Sequence, residues 1–245
     1  MKHEIITFDT LDSTSTYIKE NYINLNNYVV VRAFHQSKGR GRLGRSWKDS
    51  KGSLMFSILI KDELDETKLN LFPLLTGLSV HLALKANGVN TSIKWPNDIM
   101  LNSKKVSGMI VESICEEKVE AVIPGIGINV NNSFFVDEIK DKATSLKLET
   151  FKEYDEDKLL NDFLEVFFKE YEKFKNGDYS FLDIVRDNFY LLDKEVYLNY
   201  YNEDIKGIVK GIDDRGMIII ESNSKLLHLN SGEVTLTHNY SNLNQ

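Results

Sequence analysis

Gln36-Ser37-Lys38-Gly39-Arg40-Gly41-Arg42-Leu43-Gly44-Arg45-Ser46-Trp47 is the stretch on which the fold of this chain turns. Gly39, Gly41 and Gly44 form a nominal G-x-G-x-x-G. In a dinucleotide-binding fold that motif closes a strand and opens a helix whose N-terminus holds a pyrophosphate. Here residues 46–53 are polar, carry a further glycine at 52, and lead into the apolar run SLMFSILI at 53–60, which reads as a strand. The helix is missing, so the doubly wound reading is rejected. No G-x-x-x-x-G-K-S/T pattern is present, which also excludes a P-loop. What remains is a loop between two strands. Its glycines let the main chain come close to a ligand. Arg40, Arg42 and Arg45 offer planar cations for carboxylate or phosphate, Lys38 adds charge, and Trp47 offers a flat face. The alternatives are a solvated basic loop or a short RGG-like tract, the latter disfavoured by its place between two core strands.

Working outward, residues 28–34 (YVVVRAF) and 3–8 read as strands, and the capping cluster Asp12-Ser13-Thr14-Ser15 precedes a helix at 17–23. Residues 69–86 are apolar at helical spacing and predict a buried helix. A strand edge at 93–95 is stopped by Pro96, and apolar strands follow at 108–114 and 121–130. Leu159, Phe163, Phe167, Tyr171 and Phe174 step by three or four, so 157–175 is an amphipathic helix whose aromatic stripe packs on a sheet. From Glu195 the period changes to short alternating segments (195–201, 205–212, 217–221, 225–229 and 233–236) separated by turns, a small all-β unit.

Three more segments carry candidate chemistry. In Lys94-Trp95-Pro96-Asn97-Asp98, Pro96 biases Trp95 away from helix and turns the chain sharply, so Lys94, Asn97 and Asp98 can face one cavity. In 104–112, Lys105 stands just before a strand that begins at Gly108. In 124–131, Gly125 and Gly127 interrupt an apolar strand beside Asn129, a pattern that marks close ligand approach. Taken singly, each is also compatible with an ordinary turn, a solvated charge pair or a structural strand.

Composition narrows the function classes. The 245 residues carry 37 Asp plus Glu against 30 Lys plus Arg, a net charge of −7, which argues against a protein that coats nucleic acid. Cys115 is the only cysteine, so no intramolecular disulfide and no cysteine zinc site is expected. His3, His35, His228 and His238 show no metal spacing, and His81, in an apolar helix, reads as a hydrogen-bonded structural residue. The N-terminus has no apolar run behind Lys2, and apolar stretches such as 54–60 fall far below the ~20 residues of a membrane helix. A cytoplasmic protein without membrane or nucleic-acid partners is expected.

Together these segments resemble the biotin–protein ligases. The family's GRGRxGRxW stands at 39–47, KWPND is intact at 94–98, a Lys-x-x-Gly segment ending in Glu stands at 105–112, and GIGIN at 125–129. Residues 12–15, 143–146, 207–216 and 232–234 are similar to further family segments. The resemblance implies an α+β fold: a class II synthetase-like catalytic domain at 1–190 with a central mixed or antiparallel sheet flanked by helices. A small C-terminal SH3-like β-barrel at 191–238 and a frayed tail at 239–245 would follow. It implies activation of biotin by ATP, with Mg²⁺, to biotinyl-5′-AMP, and transfer to a lysine of a biotin carboxyl carrier protein domain.

By resemblance, Ser13, Thr14, Ser15, Gln36, Arg40, Gly41, Arg42 and Lys105 contact biotin. Arg45, Trp47, Lys94, Asn97 and Asn129 hold ATP. Lys105 and Asp98, with Arg40 and Arg42, carry the chemistry, Asp98 by orienting or deprotonating the incoming lysine. Ser15 stands where the family usually has Asn, and Leu43 where a polar residue is common. No helix-turn-helix precedes Ser13, so operator binding is not expected, while a sheet edge offers a route to a homodimer. The competing readings are a lipoate or octanoyl transferase, whose Arg-x-x-Gly-Gly-Gly loop is not found here, and a non-catalytic biotin- or nucleotide-binding module, for which a Lys at the carboxylate–phosphate junction would be needless.

Overall fold

The computed structural model describes residues 1–47, 50–201 and 203–236. The expected tail at 239–245 lies outside the described residues. In chain order the large unit comprises β1 (Glu4–Leu11), α1 (Thr14–Asn21), β2 (Val29–Gln36), β3 (Ser53–Ile58), α2 (Phe72–Ala86), β4 (Ser92–Lys94), β5 (Asp98–Leu101), β6 (Lys104–Cys115), β7 (Val119–Asn129), α3 (Leu146–Thr150), α4 (Glu156–Lys175) and α5 (Phe181–Asp187). Its seven strands form one sheet in the order β1-β2-β3-β7-β6-β5-β4. Only β1 and β2 run parallel; every other neighbouring pair is antiparallel. The fold is α+β with a mixed sheet, as expected.

Strand alternation divides the core in two. Val30, Leu54, Phe56, Ile126 and Ile128 turn to the face covered by α2 and α4. Val29, Val31, Ala121 and Ile123 turn to the other, where Ile18 of α1 packs. The α4 stripe packs on the sheet: the Phe163 ring lies 5.0 Å from that of Phe56 on β3, and Phe163, Phe167, Tyr171 and Phe174 are buried. Asp155 caps the helix, accepting from the Lys158 amide at 3.0 Å.

Residues Glu66–Ala86, a 3-10 turn running into α2, are long and apolar enough to cross a bilayer by length and composition. This corrects the expectation that every apolar stretch falls short of a membrane helix. Most of the segment is buried against β6, α4 and α5, as in a core helix.

His81 sits in α2 with Nδ1 2.9 Å from Thr91 Oγ1, while Nε2 is buried with no partner among the described residues. Burial, helped by Lys85, holds its pKa below the ordinary value against a smaller opposing effect of Thr91. The folded imidazole therefore takes up its proton at a lower pH than the unfolded one, which titrates at about 6.5. Between the two values the unfolded chain binds more protons. Stability is thus full above about pH 6.5 and falls as the pH drops through the folded-state pKa. His81→Gln should remove this component: the loss of Tm between about pH 7.5 and about pH 5.5 should be smaller in the variant than in the parent. An equal loss in thermal unfolding would refute it.

The second unit holds β8 (Glu195–Tyr200), β9 (Glu203–Ile212), β10 (Ile218–Ser222), β11 (Lys225–Leu229) and β12 (Glu233–Leu236), an antiparallel sheet in the order β11-β10-β9-β8-β12. It is tied to the large unit by the indole of Trp95, which donates to Gly216 O at 2.9 Å. Gly216 has φ +74°, and a Cβ there would meet Leu71 and Leu74 at 2.9 and 3.1 Å, so this turn beds closely against the start of α2.

Candidate active site

The glycine–arginine loop closes on itself as a small hairpin. Trp47 N donates to Gly39 O at 2.9 Å and Gly41 N to Arg45 O at 2.7 Å, and the chain reverses at Leu43 and Gly44, both at positive φ. Leu43 is exposed at the tip. Among the described residues no helix stands between the hairpin and β3, in keeping with the rejected dinucleotide motif.

Strand order then explains why distant segments meet. β3, β7 and β6 are neighbours, so Ser57 pairs with Gly125, and Gly127 with Gly108. The glycines make a floor of bare main chain. A Cβ at Gly127 would lie 2.6 Å from the Trp47 ring, and one at Gly108 would lie 2.6 Å from Lys105 Nζ and 3.1 Å from the same ring. The indole therefore rests on the Gly108–Gly127 pair, with the Lys105 ammonium 5.7 Å from its centre.

An open cavity of about 490 Å³ lies over this floor. Its walls include Ser13, Thr14, Ser15, Gln36, Arg40, Gly41, Arg42, Trp47, Asn97 and Lys105, ten of the residues expected at the site. One end is hydroxyl-rich: Thr14 Oγ1 is 2.7 Å from Ser57 Oγ, Ser13 Oγ is 3.1 Å from Ser15 Oγ, and the Thr14 amide donates to Gln36 Oε1 at 2.8 Å. Ser13 begins α1 but does not cap it; its side chain turns to Ser15 instead.

The other end is cationic. Lys105 Nζ stands 2.7 Å from Asp98 Oδ1 as an ion pair. Arg42 Nη1 donates to Asn97 Oδ1 at 3.1 Å, and Asn97 is itself fixed to β6, with Nδ2 donating to Met109 O at 2.7 Å. Burial draws the Arg42 guanidinium below its ordinary pKa, opposed by Asp98 and Glu233. It stays a cation at neutral pH, and an arriving anion would offset its lost hydration. The indole N–H of Trp47 is buried with no partner among the described residues.

Four expected site residues stand outside the cavity walls: Asp98, paired with Lys105, and three more. Arg45 is exposed and pairs with Glu233 of the second unit. Lys94 faces Asp98 across the β4–β5 ladder. Asn129 is buried with Nδ2 donating to Thr144 O at 3.0 Å. It braces the segment that lies beside Lys105, where Thr144 N donates to Lys105 O. Ser57 and Glu112 were not singled out from sequence. The signal for Ser57 was a hydroxyl inside the otherwise apolar SLMFSILI; Glu112, which pairs with Arg40 at 3.2 Å, ended a motif without an assigned role.

Comparison with known proteins bears on this geometry. Residues 7–129, half of the chain, match the Biotin/lipoate A/B protein ligase family. The chain belongs to that family. As a member of the biotin/lipoate ligases it also carries, at 191–236, a match to the Biotin protein ligase C terminal domain. It is 31% identical to the bifunctional ligase/repressor BirA of Bacillus subtilis over 96% of this chain and 75% of that protein. It is 28% identical to the biotin–[acetyl-CoA-carboxylase] ligase of Paracoccus denitrificans, over 85% of this chain and 90% of that one. Among solved structures, a biotin protein ligase from Aquifex aeolicus in complex with biotin and ATP superposes with a TM-score of 0.85 at 35% identity, covering 95% of this chain and 98% of that chain.

Proposed function

We propose that the chain is a biotin–protein ligase. A biotin carboxylate oxygen attacks the α-phosphorus of ATP and pyrophosphate leaves; a lysine amine of a biotin carboxyl carrier protein domain then attacks the acyl carbon of biotinyl-5′-AMP, AMP leaves, and the amine gives up a proton. The polarity of one cavity carries this reading. Ser13, Thr14, Ser57 and Gln36 suit a ureido ring that both donates and accepts hydrogen bonds, and Arg42 and Lys105 suit a carboxylate meeting a phosphate. The dithiolane ring of lipoate offers that hydroxyl end nothing to bond.

Ser13, Thr14, Ser15, Gln36, Arg40 and Gly41 hold the vitamin. Lys105 bridges carboxylate and α-phosphate, with Arg42 stabilising the charge that gathers there. Asp98, at hand beside Lys105, receives or orients the incoming amine. Trp47, Asn97 and Lys94 belong to the nucleotide end, while Arg45 and Asn129 act there by bracing, through Glu233 and Thr144. For Mg²⁺, no group of three His, Cys, Asp or Glu is gathered among the described residues, and Asp98 and Glu112 are engaged by cations. The donor set fits an ion that arrives on the nucleotide's phosphates. The work belongs in the cytoplasm, where ATP is at hand.

Incubated with ATP, Mg²⁺, biotin and a biotin carrier domain, the chain should release pyrophosphate and label the carrier's lysine. Absence of both would end the proposal. Calorimetry should show binding of biotin and not of lipoate; the reverse would transfer the assignment to lipoate.

A further inference from the structure

Glu112 lies on β6 two residues beyond Ile110 of the cavity wall, and its side chain is only 12% exposed. Its Oε1 stands 3.2 Å from Arg40 Nη2 of the hairpin and 2.5 Å from Lys19 Nζ of α1. Its Oε2 is buried with no partner among the described residues. One oxygen thus serves two cations from two different elements. Arg40 is the first side chain of the hairpin, and its backbone bridges to Ser46, so whatever holds Arg40 holds the hairpin's base.

We propose that Glu112 is a positioning residue that latches the hairpin over the cavity before any ligand arrives, and that Lys19 tunes the latch by drawing on the same oxygen. Two cations on one carboxylate repel each other, so each weakens the other's hold. Removing Lys19 leaves Arg40 the whole carboxylate and tightens the latch. Removing the carboxylate leaves Lys19 and Arg40 facing each other unscreened and releases it. A glutamate that merely stabilised the fold would not give this reversal: both variants would loosen the protein together. The consequence for catalysis rests on the ligase reading; the consequence for the free hairpin does not. A hairpin already in place lowers the ordering cost that biotin must meet on binding.

Trypsin cleaves after Arg40, Arg42 and Arg45, so digestion of the ligand-free protein, read by mass spectrometry, reports the latch. Hairpin cleavage should rise about tenfold in Glu112→Gln and fall about twofold in Lys19→Met, with Glu112→Asp between parent and Gln, because cleavage follows the open population. Thermal unfolding of each variant checks that it is folded. In the assay with biotin and ATP, Glu112→Gln should raise the KM for biotin about tenfold and leave kcat within about twofold. Equal cleavage in parent and Glu112→Gln, or movement of both variants in the same direction, overturns the latch. If Glu112→Gln fails to fold, Lys19→Met decides alone, and unchanged or faster cleavage overturns it. A parent chain inactive toward biotin would refute the ligase assignment and leave the cleavage result standing.

Discussion

Lys105→Ala should lower biotin-dependent pyrophosphate release by about two to three orders of magnitude, the effect of removing one preorganised donor from a developing anion. The fold should survive. Lys105 lies at the N-terminal end of β6, its ammonium is partly exposed, and the side chain of its partner Asp98 is itself partly exposed. Transfer from biotinyl-5′-AMP supplied ready-made should fall much less than adenylate formation, because the phosphate has already been joined. Asp98→Asn should show the opposite balance, slowing transfer to the carrier more than pyrophosphate release. Stopped-assay comparison of the two half-reactions checks both. A Lys105→Ala protein that releases pyrophosphate at the parental rate would show that the charge at the junction comes from elsewhere, with Arg42 the nearest alternative.

Gly127→Val should reduce the same activity by about a hundredfold, although residue 127 has no side chain to lose. Its backbone is ordinary strand, where valine is at home, so conformational strain is not the cause. Its Cβ would stand 2.6 to 2.7 Å from atoms of the Trp47 ring, and that ring is rigid. Nor can the strand move aside, since Gly127 is paired with Gly108 on one side and Met55 on the other. The indole must leave the floor and take the hairpin with it. Acrylamide should then quench indole fluorescence more strongly, with Trp47 as the source because Trp95 is buried and bonded to Gly216. Parental activity together with parental quenching would show that the indole has no fixed seat.

Much of this is legible in the sequence. The C-terminal strands alternate cleanly between turn residues, and the aromatic period of α4 pointed to the sheet it covers. The glycine–arginine loop lacked the helix a dinucleotide fold requires, and it is indeed a hairpin between strands. What sequence could not convey was adjacency. Nothing in the order of residues says that β3 lies beside β7 rather than β4, yet that pairing brings Ser57 to Gly125 and makes the hydroxyl end of the cavity. Pro96 stops β4 and turns the chain as expected, but the strand that Asp98 then opens, β5, did not declare itself in the sequence. Asn129 drew notice because it sits beside two glycines; the sequence gives no sign that its amide donates to Thr144 O. The helices α3 and α5 span five and seven residues, too short for a 3.6-residue period to declare itself. Trp95, embedded in a motif of site residues, is an anchor between the two units instead.

That anchor bears on how the enzyme can be dissected. Trp95 is the residue before the proline of the turn that delivers Asn97 and Asp98, and its indole proton is received by the chain some 120 positions later. Arg42 and Arg45 likewise reach Gly232 and Glu233. A truncation ending ahead of Glu195 would strip the acceptor from a buried indole, bare Leu71 and Leu74, and leave both guanidinium groups without their backstop. The portion bearing the large sheet is therefore no minimal enzyme, and shortening this protein from its distal end would dismantle the reaction chamber from outside.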